Sequence, residues 1–240
     1  RWLKEPAPVP ARREVSSAAV RMLLEAPEGT CERAYRDAAL QRASGQDPSS
    51  LLALAQDSPM LRPLAAIQAA MHALRGGAFV EAAVRLEEAL GYNAEDALAW
   101  WLKAVAHRHA GDEDPDAPEL PNAHFLAPLE PALRAEAFLA QGLSMAAEPN
   151  PLIAPLAAFP DHALEAVSLY MECGLWSDAA RLLDEMLRHR DVPLMHRLLA
   201  YCHSQASGMD LEAAHHTRLA DESTQRGPLP WRRLERAASR

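Results

Sequence analysis

The sequence predicts an all-α fold, a superhelical solenoid of antiparallel helix pairs with an irregular proline-rich middle. Three observations predict it. First, 49% of the 240 residues are apolar while only 5% are aromatic, which is the composition of closely packed helices and not of a sheet. Second, Gly77, Phe79, Ala82, Leu86 and Ala89 place a glycine, an aromatic two positions on, and small or apolar residues at helical spacing; the pattern returns in Gly174, Trp176, Ala179, Leu183 and Met186. Glycine allows a tight turn, the aromatic plugs the gap between two helices, and the alanines let them approach. Third, a shift of 34 residues lays Ala66 on Trp100, Ala70 on Ala104, Ala73 on His107 and Gly77 on Gly111. The same shift lays the later unit on Tyr201, Ser204, Gly208, Ala213 and Ala220. Self-similarity at such a period marks stacked repeats.

Taken in order, residues 1–14 carry Pro6, Pro8 and Pro10 and predict an extended linker. Residues 15–62 predict divergent helices: one from Ser16 or Ser17 to about Glu25, stopped by Pro27 and Gly29, one from the Thr30 cap to about Ala43, and a short one from Ser49 or Ser50. Asp57 or Ser58 is expected to cap the helix that opens the first clear repeat. Residues 63–130 then hold two units, 63–96 and 97–130. The second is degenerate, because each interior proline weakens a helix by roughly 3 kcal/mol and Pro115, Pro118 and Pro121 make 112–122 a loop.

Residues 131–159 are shorter than one period and form an irregular connection. Leu133, Ala137, Leu139, Ala140 and Leu143 are helically spaced, but the four prolines of 148–160 predict irregular chain until Asp161 caps the next helix. Residues 160–227 hold two further units, the last less regular, with Asp210 two residues beyond Gly208 where Phe79 and Trp176 follow the earlier glycines. Residues 228–240 close the array, with Leu229, Trp231 and Leu234 covering the exposed face of the final repeat.

A 34-residue helix-turn-helix period with these small and aromatic positions resembles the tetratricopeptide repeat. More narrowly, "LEEALGYNAEDALAWWLKAVAHRHAG", "HALEAVSLYMECGLWSDAARLLDEML" and the closing "PLPWRRLE" are similar to the C-terminal helical region of large bacterial proteins whose N-terminal part is a β-sandwich domain of unknown function. The general resemblance implies that the first helix of each pair lines a concave groove, here Leu64, Ile67, Met71, Leu98, Trp101, Leu102, Val105, Arg108, His109, Leu198 and Leu199, with Gln68, Leu164, Glu165, Ser168, Met195 and Cys202 also contributing to the lining. The family's clamp for a terminal carboxylate uses lysine and asparagine at such positions, and none of these is either. An apolar groove of this kind either receives a partner helix or peptide, with Trp101 as anchor, or is filled by the 131–159 segment or an upstream domain.

Chemistry-bearing motifs are scarce. Ten histidines invite a metal reading, yet His107 and His109 point to different helix faces, His215 and His216 diverge likewise, and His196 and His203, near Cys202, lie two turns apart, about 10 Å. A zinc site needs ligands converging within a few ångströms, so neither metal nor cofactor is expected. "DEDPDAPELP" lacks the spacing of a calcium loop. Gly76 and Gly77 lack the following lysine and hydroxyl of a phosphate loop. Ser204 beside His203 does not make a nucleophile and base, and Glu81, Glu87 and Glu88 are read as a wet helix face. No catalytic residue is expected.

A net charge of -9 argues against phosphate backbones and anionic lipid as partners. No apolar run approaches the roughly 20 residues that cross a bilayer. Cys31, Cys173 and Cys202, odd in number and without paired spacing, fit a reduced, cytoplasmic setting. Opening on Arg1, the chain is read as a piece of a longer protein. The function expected is a non-catalytic module mediating protein or intramolecular contacts through the groove, with the oligomeric state left open. The alternative is the helical accessory region of a carbohydrate-active enzyme whose catalytic β-domain lies upstream.

Overall fold

The computed structural model describes residues 23, 25–111, 119–128, 130–141, 149–158, 160–206 and 208–222. Among them are twelve helices and no strand, so the all-α class is observed. No helix among these residues is long and apolar enough to cross a membrane. The expected linker at 1–14, the acidic loop from Asp112 to Pro118, Leu143, and the closing segment with Leu229, Trp231 and Leu234 lie outside the described residues, as does most of the helix expected from Ser16 or Ser17. The chain divides into two compact units, Arg1–Ala65 and Ala66–Arg240.

In the first unit, α1 (Cys31–Ala43) pairs with α2 (Ser49–Ala55). Thr30 caps α1 as expected, its Oγ1 accepting from Arg33 N at 3.3 Å, which satisfies one of the amides that a helix start leaves open. Ala34, Ala38, Leu52 and Ala55 are buried. The expected cap at Asp57 or Ser58 is not formed. A turn intervenes, in which Leu61 N and Arg62 N both donate to Ser58 O, and α3 (Arg62–Arg75) opens only at Arg62.

The second unit continues with α4 (Phe79–Tyr92), α5 (Ala97–Ala110), α6 (Glu119–Leu126), α7 (Pro131–Ala140), α8 (Ala154–Ala158), α9 (Pro160–Glu172), α10 (Trp176–His189), α11 (Pro193–Gln205) and α12 (Asp210–Glu222). Neighbours in sequence pack as pairs, α4 with α5, α9 with α10, α10 with α11 and α11 with α12. The corners after α3 and α9 share one hydrogen-bond pattern. Gly77 N donates to Leu74 O and Ala78 N to Ala73 O, while Gly174 N donates to Met171 O and Leu175 N to Tyr170 O. This is the double bond of a Schellman ending, which needs a left-handed residue, and the glycines supply it with φ of 74° and 73°. The residues spaced beyond them, Ala82, Leu86 and Ala89, and Ala179, Leu183 and Met186, are all buried in one continuous core.

The middle of the chain departs from expectation. Pro121 does not hold 119–122 as a loop, because it falls in the first turn of α6, where a helix has no use for the missing amide hydrogen. Pro131 opens α7 for the same reason. The helical spacing from Leu133 onward is realised as α7, whose Pro131, Ala132, Leu133, Ala135, Glu136, Phe138 and Leu139 are buried, whereas the short α8 falls in the proline-rich stretch expected to be irregular. α7 packs on α5, α6, α9 and α10, and α8 on α9 and α10. α9 begins at Pro160, one residue before the Asp161 at which its cap was expected.

Candidate functional site

α5 carries most of the polar chemistry of the second unit. Asp96 starts it, accepting from Ala99 N at 3.0 Å. Trp101, Val105 and Arg108 follow at spacings of four and three, so they share the face that meets α7. The Trp101 indole is 1% exposed; its Nε1 donates to Ala132 O of α7 at 3.1 Å, and its ring stands edge-on to Tyr170 of α9, centroids 5.2 Å apart.

About two helical turns further on, Arg108 forms the centre of a buried ionic knot. Its Nε donates to Glu136 Oε1 at 2.6 Å and its Nη2 to Glu136 Oε2 at 3.2 Å. The same Nη2 reaches Asp178 Oδ2 at 2.7 Å, and Nη1 reaches Asp178 Oδ1 at 3.4 Å. The planar fork of a guanidinium can serve two carboxylates at once in this way. Tyr170 donates its hydroxyl to Glu136 Oε2 at 2.6 Å. His109 Nε2 lies 2.7 Å from Asp178 Oδ2, its ring stacked on Phe79 of α4 with centroids 4.7 Å apart. Residues from α4, α5, α7, α9 and α10 thus meet at one point. Asp178 lies in the first turn of α10, where the helix dipole favours negative charge.

The electrostatics follow from that geometry. Burial works against the charge of Arg108, but the two carboxylates outweigh it and raise its pKa further. Burial likewise pushes Asp178 up, while hydrogen bonds from His109 and Arg108 more than reverse this and leave its carboxyl below the usual value of 3.8. Tyr170 is held well above its ordinary 10.0 by burial and by the neighbouring Glu136 carboxylate. General acid or base work needs a group that exchanges its proton near the working pH. Here the carboxylates spend their lone pairs on donors from other helices, and what the arrangement does is clamp α5, α7, α9 and α10 together.

The structure places the expected groove residues as follows. Ile67, Met71, Trp101, Leu102, Val105, Leu198 and Leu199 are buried, and all belong to the continuous core. Arg108 and His109 are half-buried in the ionic knot, whereas Leu64 and Leu98 are 40% and 38% exposed. Leu164, Ser168, Met195 and Cys202 are buried too, the Ser168 hydroxyl donating to Leu164 O at 2.7 Å. Leu98 apart, the lining expected on α5 is therefore not open surface, and α7 lies against it at Trp101 and Arg108. A buried face looks the same in sequence whether solvent, a ligand or its own chain lies over it. Glu136, Tyr170 and Asp178 went unnoticed among the residues expected at the site. The signal available was a glutamate, a tyrosine and an aspartate sitting within otherwise apolar helical runs.

Two other polar clusters appear. Lys103 pairs with Glu87, and Glu119 Oε1 lies 3.5 Å from both Lys103 Nζ and His107 Nδ1; Glu87 stays exposed while reaching across to α5. Between α11 and α12, His196 and His203, whose spacing of seven allows a shared helix face, are met by His216, which the sequence did not connect to them. Among the described residues no group of three or more histidine, cysteine, aspartate or glutamate side chains is arranged to hold a metal ion. Cys202 is buried, and burial, followed by the field of Asp184, pushes its thiol up to about 12, far from the range of a reactive thiolate. No protein-family model matches the chain, and no curated protein matches it.

Proposed function

We propose that this chain is a non-catalytic helical-repeat module, akin to the tetratricopeptide repeat, that mediates protein contacts within its parent chain or between chains. The observation that carries this reading is the seating of α7. A helix with an apolar face lies on the side of α5 that the family resemblance assigns to a ligand, with Trp101 and Arg108 both bonded to it. In this arrangement α7 is the resident occupant of the groove, by the helix-in-groove mode of recognition. A partner helix of similar pattern competes with it for the same face, and the clamp at Arg108 sets how hard α7 is to displace.

A labelled peptide of residues 130–141 tests this. It is expected to bind a variant whose own α7 has been loosened by Leu133→Ala and Phe138→Ala, and to bind the unaltered chain far more weakly. If the loosened variant keeps its helical circular dichroism and still ignores the peptide, the groove receives no helix and the reading fails.

A further inference from the structure

α12 is fastened to α11 by unusual means. Only Ala220 is buried among its residues, and Leu211 is exposed. Arg197 Nη2 meets Asp221 Oδ1 at 3.2 Å, but both side chains face solvent, and such pairs contribute little. Beside Ala220, the two helices meet through imidazole rings. The ring of His216 of α12 lies nearly parallel to those of His196 and His203 of α11, with centroids 5.2 Å and 5.7 Å apart, and His215 stands edge-on to it at 5.3 Å. His196 Nδ1 lies 2.9 Å from His216 Nδ1, and His196 Nε2 lies 3.0 Å from Asp191 Oδ1.

Two ring nitrogens 2.9 Å apart need one hydrogen and one lone pair between them. With both rings neutral, His196 donates from Nε2 to Asp191, leaving its Nδ1 lone pair to accept from His216 Nδ1. One added proton is tolerated, because either ring can then donate to the other. A second is not: two imidazoliums present an N–H to an N–H, the bond is lost, and two like charges face each other across it. We infer that the His196–His216 pair, flanked by His203, is a proton-operated latch that fastens α12 to α11 at neutral pH and releases it on mild acidification.

The charges around the latch favour release. Asp191, and Asp184 on α10, are the acids whose fields reach it. Against them stand His203 and His215, with Arg197 beside Asp221 and Arg218 3.3 Å from His215 Nδ1. Burial, then the fields of His196, His203 and His215, push His216 down from 6.5 to about 4. A base depressed in the docked state binds its proton more readily once undocked. The docking is therefore at full strength above about 6.5 and is lost as pH falls towards about 4.

Amide hydrogen exchange along the whole chain, corrected for the intrinsic effect of pH, reads the latch directly. Between about pH 7 and about pH 5, protection of α12 is expected to fall by more than about tenfold relative to α9 and α10. In His216→Phe, which can stack but not titrate, the fall is expected to vanish. An α12 whose protection follows α9 and α10 across this range overturns the inference, as does a His216→Phe variant that loses protection just as the unaltered chain does. If phenylalanine does not seat, nitrogen chemical shifts of the unaltered chain decide: His216 titrating as an isolated imidazole near its ordinary value also overturns it.

Discussion

Gly174 sits against Arg75 so closely that a Cβ on the glycine would fall 2.8 Å from Arg75 Cγ and 3.2 Å from Arg75 Cα, while the Arg75 guanidinium donates to Glu172 O at 3.0 Å. The corner after α9 is thus nested against the end of α3. Gly77 has almost the same φ but nothing within 4 Å of a built Cβ, so the pair separates backbone strain from close approach. Gly77→Ala is expected to lose about 1 to 2 kcal/mol from the left-handed conformation alone, and Gly174→Ala clearly more. Urea unfolding of both variants checks this; equal losses would mean that the approach of Arg75 is not tight.

Arg108→Ala strands two buried carboxylates, Glu136 and Asp178. Removing one partner of a buried ion pair is expected to destabilise by about 3 to 5 kcal/mol. Arg108→Lys keeps the charge but not the fork, and should recover only part of the loss.

The same knot has a signature in acid. The folded-state pKa of Asp178 is lowered below 3.8, so its contribution to stability is present above that value and fades as pH falls below it. Unfolding free energy measured against pH is expected to drop more steeply below about pH 4 for the unaltered chain than for Asp178→Asn. Parallel curves would remove Asp178 from the explanation.

Ala82 and Ala179 are both 0% exposed, each five residues beyond a corner glycine of the same hydrogen-bond pattern. Enlarging either to leucine is expected to lower stability by about 1 to 3 kcal/mol through overpacking, read as a fall in melting temperature. Asp96→Ala removes the cap of α5 and is expected to lose about 1 kcal/mol.

Much of the second unit was legible because its signals are local. A glycine that must take positive φ, and alanines at helical spacing beyond it, identify a corner and a contact face without reference to anything distant. Thr30 was legible as a cap for the same reason. Pro121 misled because a proline's effect depends on its place in a helix, and composition alone did not show that α6 starts two residues before it. The groove residues were legible as an apolar face, and Trp101 as its largest member. That the 131–159 segment fills the groove was among the readings the sequence offered, but which of its residues meet which was not legible, since Trp101 and Ala132 are joined by a bond spanning 31 positions and Arg108 and Asp178 by one spanning 70. His216 was beyond reach on the same ground, twenty positions from its partner His196.

The burial of α7 bears on how the chain is made. A ribosome delivers α5 before α7, so during synthesis Trp101 waits beside water, and Arg108 has neither of its acids, until Ala140 has cleared the exit tunnel; Asp178 arrives later still. An early nascent chain therefore offers a sticky, half-built face that a holdase chaperone is suited to shelter, and a stop placed anywhere between Ala110 and Pro131 would strand it for good.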